Sequence, residues 1–195
     1  MLGKLAPSLI LLLQKLRTGV LAVLLAVSFP THAIDGIDDG AAVPVKAAYL
    51  FRFSQYVDWP TGSFSAETAP LTIAVLDDER LAAELARITQ GRVLNTHPIV
   101  VRAVKGGDNL SAVQMLFVGA QDMQHLKPVL DGLGSQAVLT ITDSPAGLDA
   151  GSVINFLPVG QHIRFEISLD AAERSGLKLS SRLLAVAQHV RGKVP

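Results

Sequence analysis

The sequence predicts an α/β fold: a single-domain α/β sandwich with a mostly parallel sheet, flanking helices and a C-terminal antiparallel hairpin. Three observations carry this. Short apolar runs rich in β-formers, such as Leu71 to Leu76 and Met115 to Val118, alternate with helical segments, the pattern of parallel strands covered on both faces. Ile163, Phe165 and Ile167 alternate with His162, Arg164 and Glu166, the period of a strand with one buried face. Pro158 and Gly160 separate that strand from the apolar run Val153 to Leu157, and so short a connection returns the chain antiparallel. The 195 residues, 49% of them hydrophobic, suffice for one domain with a substantial core.

In chain order, Lys4, Lys15 and Arg17 precede an apolar run from Val20 to Phe29, and Thr31 and Ala33 put small residues at the two positions that determine cleavage. This is the pattern of a secretory signal peptide over residues 1–33, and the apolar run is far shorter than the ~20 residues of a membrane span. Residues 34–44 read as a disordered lead, and residues 45–195 as the domain. Val45, Tyr49, Phe53 and Tyr56 or Val57 share a helical face, and Trp59 followed by Pro60 ends that helix. After a loop over 61–70 come a strand at Leu71 to Leu76, a helix from Glu79 to Gln90 capped by Asp77 and Asp78 and closed by Gly91, and a strand at Pro98 to Val104. Met115 to Val118 gives a strand, Asp122 to Leu133 a helix, and Val138 to Ile141 another strand.

After the hairpin, Asp170 and Glu173 are spaced as a capping box for a helix over Ala171 to Ser175, which Gly176 closes. Ser180 or Ser181 then caps a second helix, with Leu183, Ala187 and Val190 along one stripe.

Composition excludes several functions. Removing residues 1–33 takes away three of the 17 Lys+Arg and none of the 17 Asp+Glu, leaving a mildly acidic chain without a footprint for nucleic acid or anionic lipid. There is no cysteine, so neither disulfides nor thiol switching is available. The run IAVLDDERLAAEL has the acids of a response-regulator receiver, but Gly119 stands where the phosphate-accepting aspartate belongs. Asp77 and Asp78 are therefore helix caps. Serine-elbow and phosphate-loop patterns are missing, and His97, His125, His162 and His189 lack zinc-pair spacing, so no catalytic residue, metal or cofactor is expected.

Binding remains, at three loci. Trp59 is either an aromatic plug at a helix end or a platform at the rim of a site. The strand ends carry Asp77, Gln121, Asp143 and Ser144, where open α/β sheets hold ligands. The junction from Arg174 to Arg182 collects Arg174, Lys178 and Arg182 with the hydroxyls of Ser180 and Ser181 before a helix N-terminus.

The order AAYLFRFSQYVDWP, LTIAVL, MLFVG, VLTITD, GSVINF and IRFEISLDAAERSGLKLSSRLLAVA resembles the YfiR-like family, periplasmic repressors of an inner-membrane diguanylate cyclase. The resemblance covers essentially the whole chain after the signal peptide. It implies a periplasmic, non-enzymatic regulator of cyclic-di-GMP signalling whose partner is the periplasmic domain of such a cyclase, with a homodimer and a small-molecule ligand as further partners. The second reading is a periplasmic protein that binds a nucleotide or an aromatic metabolite. By resemblance, the ligand or partner surfaces fall at Asp58 and Trp59 and at Arg174, Lys178, Ser180 and Arg182. Some family members carry cysteines; this chain has none, so redox behaviour is not carried over.

Overall fold

The computed structural model describes residues 39–120 and 123–192; the expected signal peptide and the start of the expected lead fall outside them. Helix α1 (Asp39–Ser54) leads into a two-residue strand β1 (Val57–Asp58). Then come β2 (Leu71–Leu76), α2 (Glu79–Thr89), β3 (Val93–Leu94), β4 (His97–Val104), β5 (Met115–Val118), α3 (Met123–Leu133) and β6 (Leu139–Thr142). The C-terminal part adds α4 (Gly147–Ala150), the hairpin β7 (Ile154–Val159) and β8 (His162–Ser168), α5 (Leu169–Arg174), β9 (Lys178–Leu179), α6 (Ser181–Val186) and β10 (His189–Arg191).

The expected α/β fold with its mostly parallel sheet is what forms. Eight strands run in the order β10-β8-β7-β6-β5-β2-β4-β3, and β1 and β9 make a separate pair. From β4 through β7 neighbouring strands are parallel; the β7–β8 hairpin and the short β3–β4 pair are antiparallel. Period-two alternation splits the buried strands between two cores. Ile73, Val75, Met115 and Phe117 face Leu50 and Phe53 of α1 and Leu81 and Leu85 of α2. Ala74, Leu76, Leu116 and Val118 face Leu126 and Leu133 of α3.

An aromatic cluster fastens α1 to the hairpin. Phe53 stacks on Phe156 at 5.7 Å and meets Phe165 edge-on at 5.0 Å, while Tyr49 meets both at 5.8 and 5.6 Å. Phe165 is thus buried and Arg164 exposed, as the alternation requires.

Several local expectations give way to tertiary context. Helix α1 runs from Asp39, inside the expected lead and with Pro44 within it, to Ser54, short of Trp59. Val45 is 41% exposed, so the buried stripe is Ala47, Leu50 and Phe53 instead. β4 is not covered on both faces: Pro98, Val100 and Arg102 are exposed, because β4 lies next to the sheet edge beyond the reach of α3. Asp78 alone caps α2, accepting from the Leu81 N–H at 2.9 Å, while Asp77 turns the chain with a φ of 52°. Ser168 rather than Asp170 caps α5, accepting from the Ala171 N–H at 3.2 Å. The last helix ends at Val186, and Val190 belongs to β10, which pairs parallel with β8. Glu166, expected outside, is buried because the Asn155 carboxamide donates to it and Arg191 lies 3.7 Å away.

Candidate functional site

The two candidate stretches, far apart in sequence, meet in β1 and β9. These strands pair antiparallel, with Val57 opposite Leu179 and Asp58 opposite Lys178, and the Ser180 N–H extends the ladder to the Tyr56 carbonyl at 2.9 Å. Gly176, with a φ of 66°, makes the left-handed turn that brings the chain from α5 into β9. One surface therefore carries Asp58 and Trp59 from the first stretch and Lys178 and Ser180 from the second. Arg174 closes α5 and Arg182 opens α6, flanking β9 on either side.

Asp58, Arg174, Lys178 and Arg182 are exposed, and none of them enters an ion pair among the described residues. The Ser180 hydroxyl is already engaged, accepting from the Arg182 N–H at 3.2 Å as the cap of α6. The junction thus offers three free cations and a capped turn.

Trp59 is half-buried and opens the loop to Pro70, which is pinned from beneath by side chains. Its Nε1–H donates to the Gln114 carbonyl at 3.3 Å; the Gln114 Nε2–H donates to the Ser63 carbonyl at 2.9 Å, and its Oε1 accepts from the Thr72 N–H at 2.9 Å. At the far end the Thr96 hydroxyl donates to the Glu67 carbonyl and the His97 Nδ1–H to the Ala69 carbonyl, each at 2.6 Å. The His97 ring lies flat on Phe64, 3.7 Å between centroids and 12° between planes. Between loop and domain is a cleft of about 550 Å³ whose lining includes Asp58, Trp59, Phe64, Glu67 and His97.

Phe64, His97 and Gln114 were not singled out by sequence reasoning. Gln114 has no motif; the one hint is a polar side chain immediately before the apolar run of β5. His97 has no spacing that sets it apart from the other histidines.

The strand-end rim does not converge as a ligand site. Asp77 is exposed, Asp143 pairs with Lys46 from α1, and the buried Ser144 donates its N–H to Asn155 Oδ1 at 3.1 Å. Gln121 and the His125 side chain lie outside the described residues. His162 and His189 are exposed, and no metal-holding group of His, Asp or Glu occurs among the described residues. The clearest electrostatic perturbation lies away from this surface: the hydrogen bonds from Arg87 hold the Glu84 carboxyl below its ordinary value.

Among the described residues no helix is long and apolar enough to cross a membrane. Among solved structures the chain is similar to the crystal structure of a conserved domain protein from Vibrio cholerae O1 biovar El Tor strain N16961, with 11% identity and a TM-score of 0.48 over 76% of this chain. The matched part is 60% of that protein's length. Residues 44–188, which include α1 from Pro44, the Trp59 loop, the hairpin and the β9 junction, match the YfiR/HmsC-like family. The chain belongs to that family, a family of periplasmic regulators.

Proposed function

We propose that this protein is a non-enzymatic periplasmic regulator that binds the periplasmic domain of an inner-membrane diguanylate cyclase and holds it inactive. The observation that carries the reading is the β1–β9 pair, which joins an aromatic loop and a cation-bearing junction into one exposed surface. Energy at protein contacts concentrates in a few aromatic and arginine side chains. Trp59 and Arg182 are the anchors, with Asp58, Arg174, Lys178 and Ser180 around them. Export fits the same reading: cleavage after Ala33 yields a periplasmic chain beginning at Ile34, and intact-mass measurement of periplasmic protein tests it.

Deleting the gene should raise cellular cyclic-di-GMP and surface attachment. A Trp59→Ala, Arg182→Ala double variant with an unchanged melting temperature should behave like the deletion. Unaltered second-messenger levels in the deletion strain would remove the repressor reading; full rescue by the folded double variant would keep the function and discard the anchors.

A second reading, a protein that binds a small molecule and tunes its partner contact accordingly, is favoured by the cleft beside Trp59, whose volume falls in the range of small-ligand sites.

A further inference from the structure

The charge and the walls of the Trp59 cleft specify a chemical class that neither the partner contact nor the expectation of a nucleotide supplies. Its lining contains two carboxylates, Asp58 and Glu67, and neither lysine nor arginine. Lys178 stands opposite Asp58 in the strand register, but it does not line the cleft. A nucleotide or other phosphate would meet two carboxylates with no cation in the lining, at a cost that rises as water is excluded.

The aromatic side chains point the same way. Trp59 and Phe64 both line the cleft and meet edge-on at 6.3 Å, and His97 already covers one face of Phe64, so Trp59 is the ring proposed to meet a cation; Trp is the strongest such partner, acting within about 6 Å of the ring. His97 adds an acceptor. Because the Ala69 carbonyl can only accept, the 2.6 Å bond places a proton on Nδ1, and in that tautomer Nε2 is the acceptor. Carboxylates, aromatic faces and an imidazole acceptor together suit a group that is positive and rich in donors.

We infer that the Trp59 cleft binds an organic cation, an ammonium or guanidinium group on a small apolar or aromatic body. Gln114, Thr96 and His97 clasp the loop that carries the lining through hydrogen bonds within the chain, which favours a preorganised site. The inference deepens the second reading above, fixing the ligand's charge, and does not depend on the identity of the protein partner.

Trp59 is the sole tryptophan, so its fluorescence reports the cleft directly. Agmatine and benzylamine, titrated at constant ionic strength into the purified chain, should give saturable changes in emission, whereas benzoate should give none. Asp58→Asn with Glu67→Gln should weaken agmatine binding by about tenfold or more while lowering the melting temperature only slightly, since both side chains are exposed. A glycyl-arginyl-glycine peptide that binds about tenfold tighter than agmatine would assign the cation to a partner's arginine side chain; equal or weaker binding would assign it to a free amine. Benzoate binding as well as benzylamine, or the amines failing to saturate at millimolar concentration, overturns the inference. Undiminished agmatine binding by the folded double variant does so as well. None of these failures touches the repression test, which reads cyclic-di-GMP in cells.

Discussion

Asp58 sits directly across from Lys178 in a ladder of two residue pairs, and that ladder is what joins the Trp59 loop to the cationic junction. The contact is small, so its geometry depends on the strands continuing into better-anchored structure. On one side Val57 is buried in the main core; on the other Leu177 and Leu183 are buried on either side of β9. The surface is rigid where it enters the core and solvated where its charges lie.

Opposite charges facing each other across a strand pair stabilise by roughly 0.2–1 kcal/mol, less when both are exposed and screened. Lys178→Glu should therefore cost a few tenths of a kcal/mol, and Asp58→Lys in the same chain should recover it. Urea denaturation of the four proteins of this cycle, at low and high salt, measures the coupling. Strictly additive effects at low salt would mean that the two side chains do not sense each other.

The aromatic cluster makes a larger prediction. Phe165 touches Tyr49 and Phe53 from α1 and is 2% exposed, so Phe165→Ala should cost ~3–5 kcal/mol, the range for truncating a buried aromatic. Arg164→Ala, one residue away on the exposed face, should stay within about 0.5 kcal/mol. Equal losses in thermal melts would contradict the assigned faces.

These cases mark how far the sequence could be read. β2 and β5 have the bounds their apolar runs suggest, and the hairpin was legible because alternation and turn residues agreed. Glu166 broke the alternation for a reason invisible locally: its partners Asn155 and Arg191 come from a neighbouring strand and from the chain's last strand. β1 and β9 are two residues long, below any periodicity signal, yet their pairing assembles the candidate surface. Trp59 and the 174–182 junction each carry a local signal, but nothing local indicates that they adjoin. The cleft has no sequence signal, because Phe64, Glu67 and His97 converge only once the loop is clasped.

Gly147 tests the polar network behind the hairpin. A Cβ there would lie 2.0 Å from Thr142 Oγ1 and 2.6 Å from Asn155 Oδ1, the two atoms that hydrogen-bond each other at 2.8 Å. Gly147→Ala must displace both of them, so a loss at the upper end of the ~1–3 kcal/mol typical of overpacking is expected. Gly106→Ala, with open space around the new carbon, should be nearly neutral. A neutral Gly147→Ala in calorimetry would show that the network yields without cost.

Gln114 is the side chain whose loss should be felt most directly by the Trp59 loop. It is 4% exposed, and its carboxamide accepts from the Thr72 N–H while donating to the Ser63 carbonyl; its own carbonyl receives the Trp59 indole. Gln114→Ala strands the Thr72 N–H in a buried strand, and an unsatisfied buried donor costs ~1–3 kcal/mol. It also unties Ser63, leaving the loop held by the Trp59 indole on the backbone carbonyl of residue 114 and, at its far end, by Thr96 and His97. The tryptophan should then sample water more often, so emission should shift to the red while far-ultraviolet circular dichroism keeps its shape. Gln114→Glu separates the two roles: it retains the acceptor for Thr72 but sets an anionic oxygen against the Ser63 carbonyl. It should therefore shift the emission much as Gln114→Ala does, through the lost donor. An unshifted maximum in both variants, despite lower stability, would mean that the Trp59 indole bond together with Thr96 and His97 suffices to hold the loop.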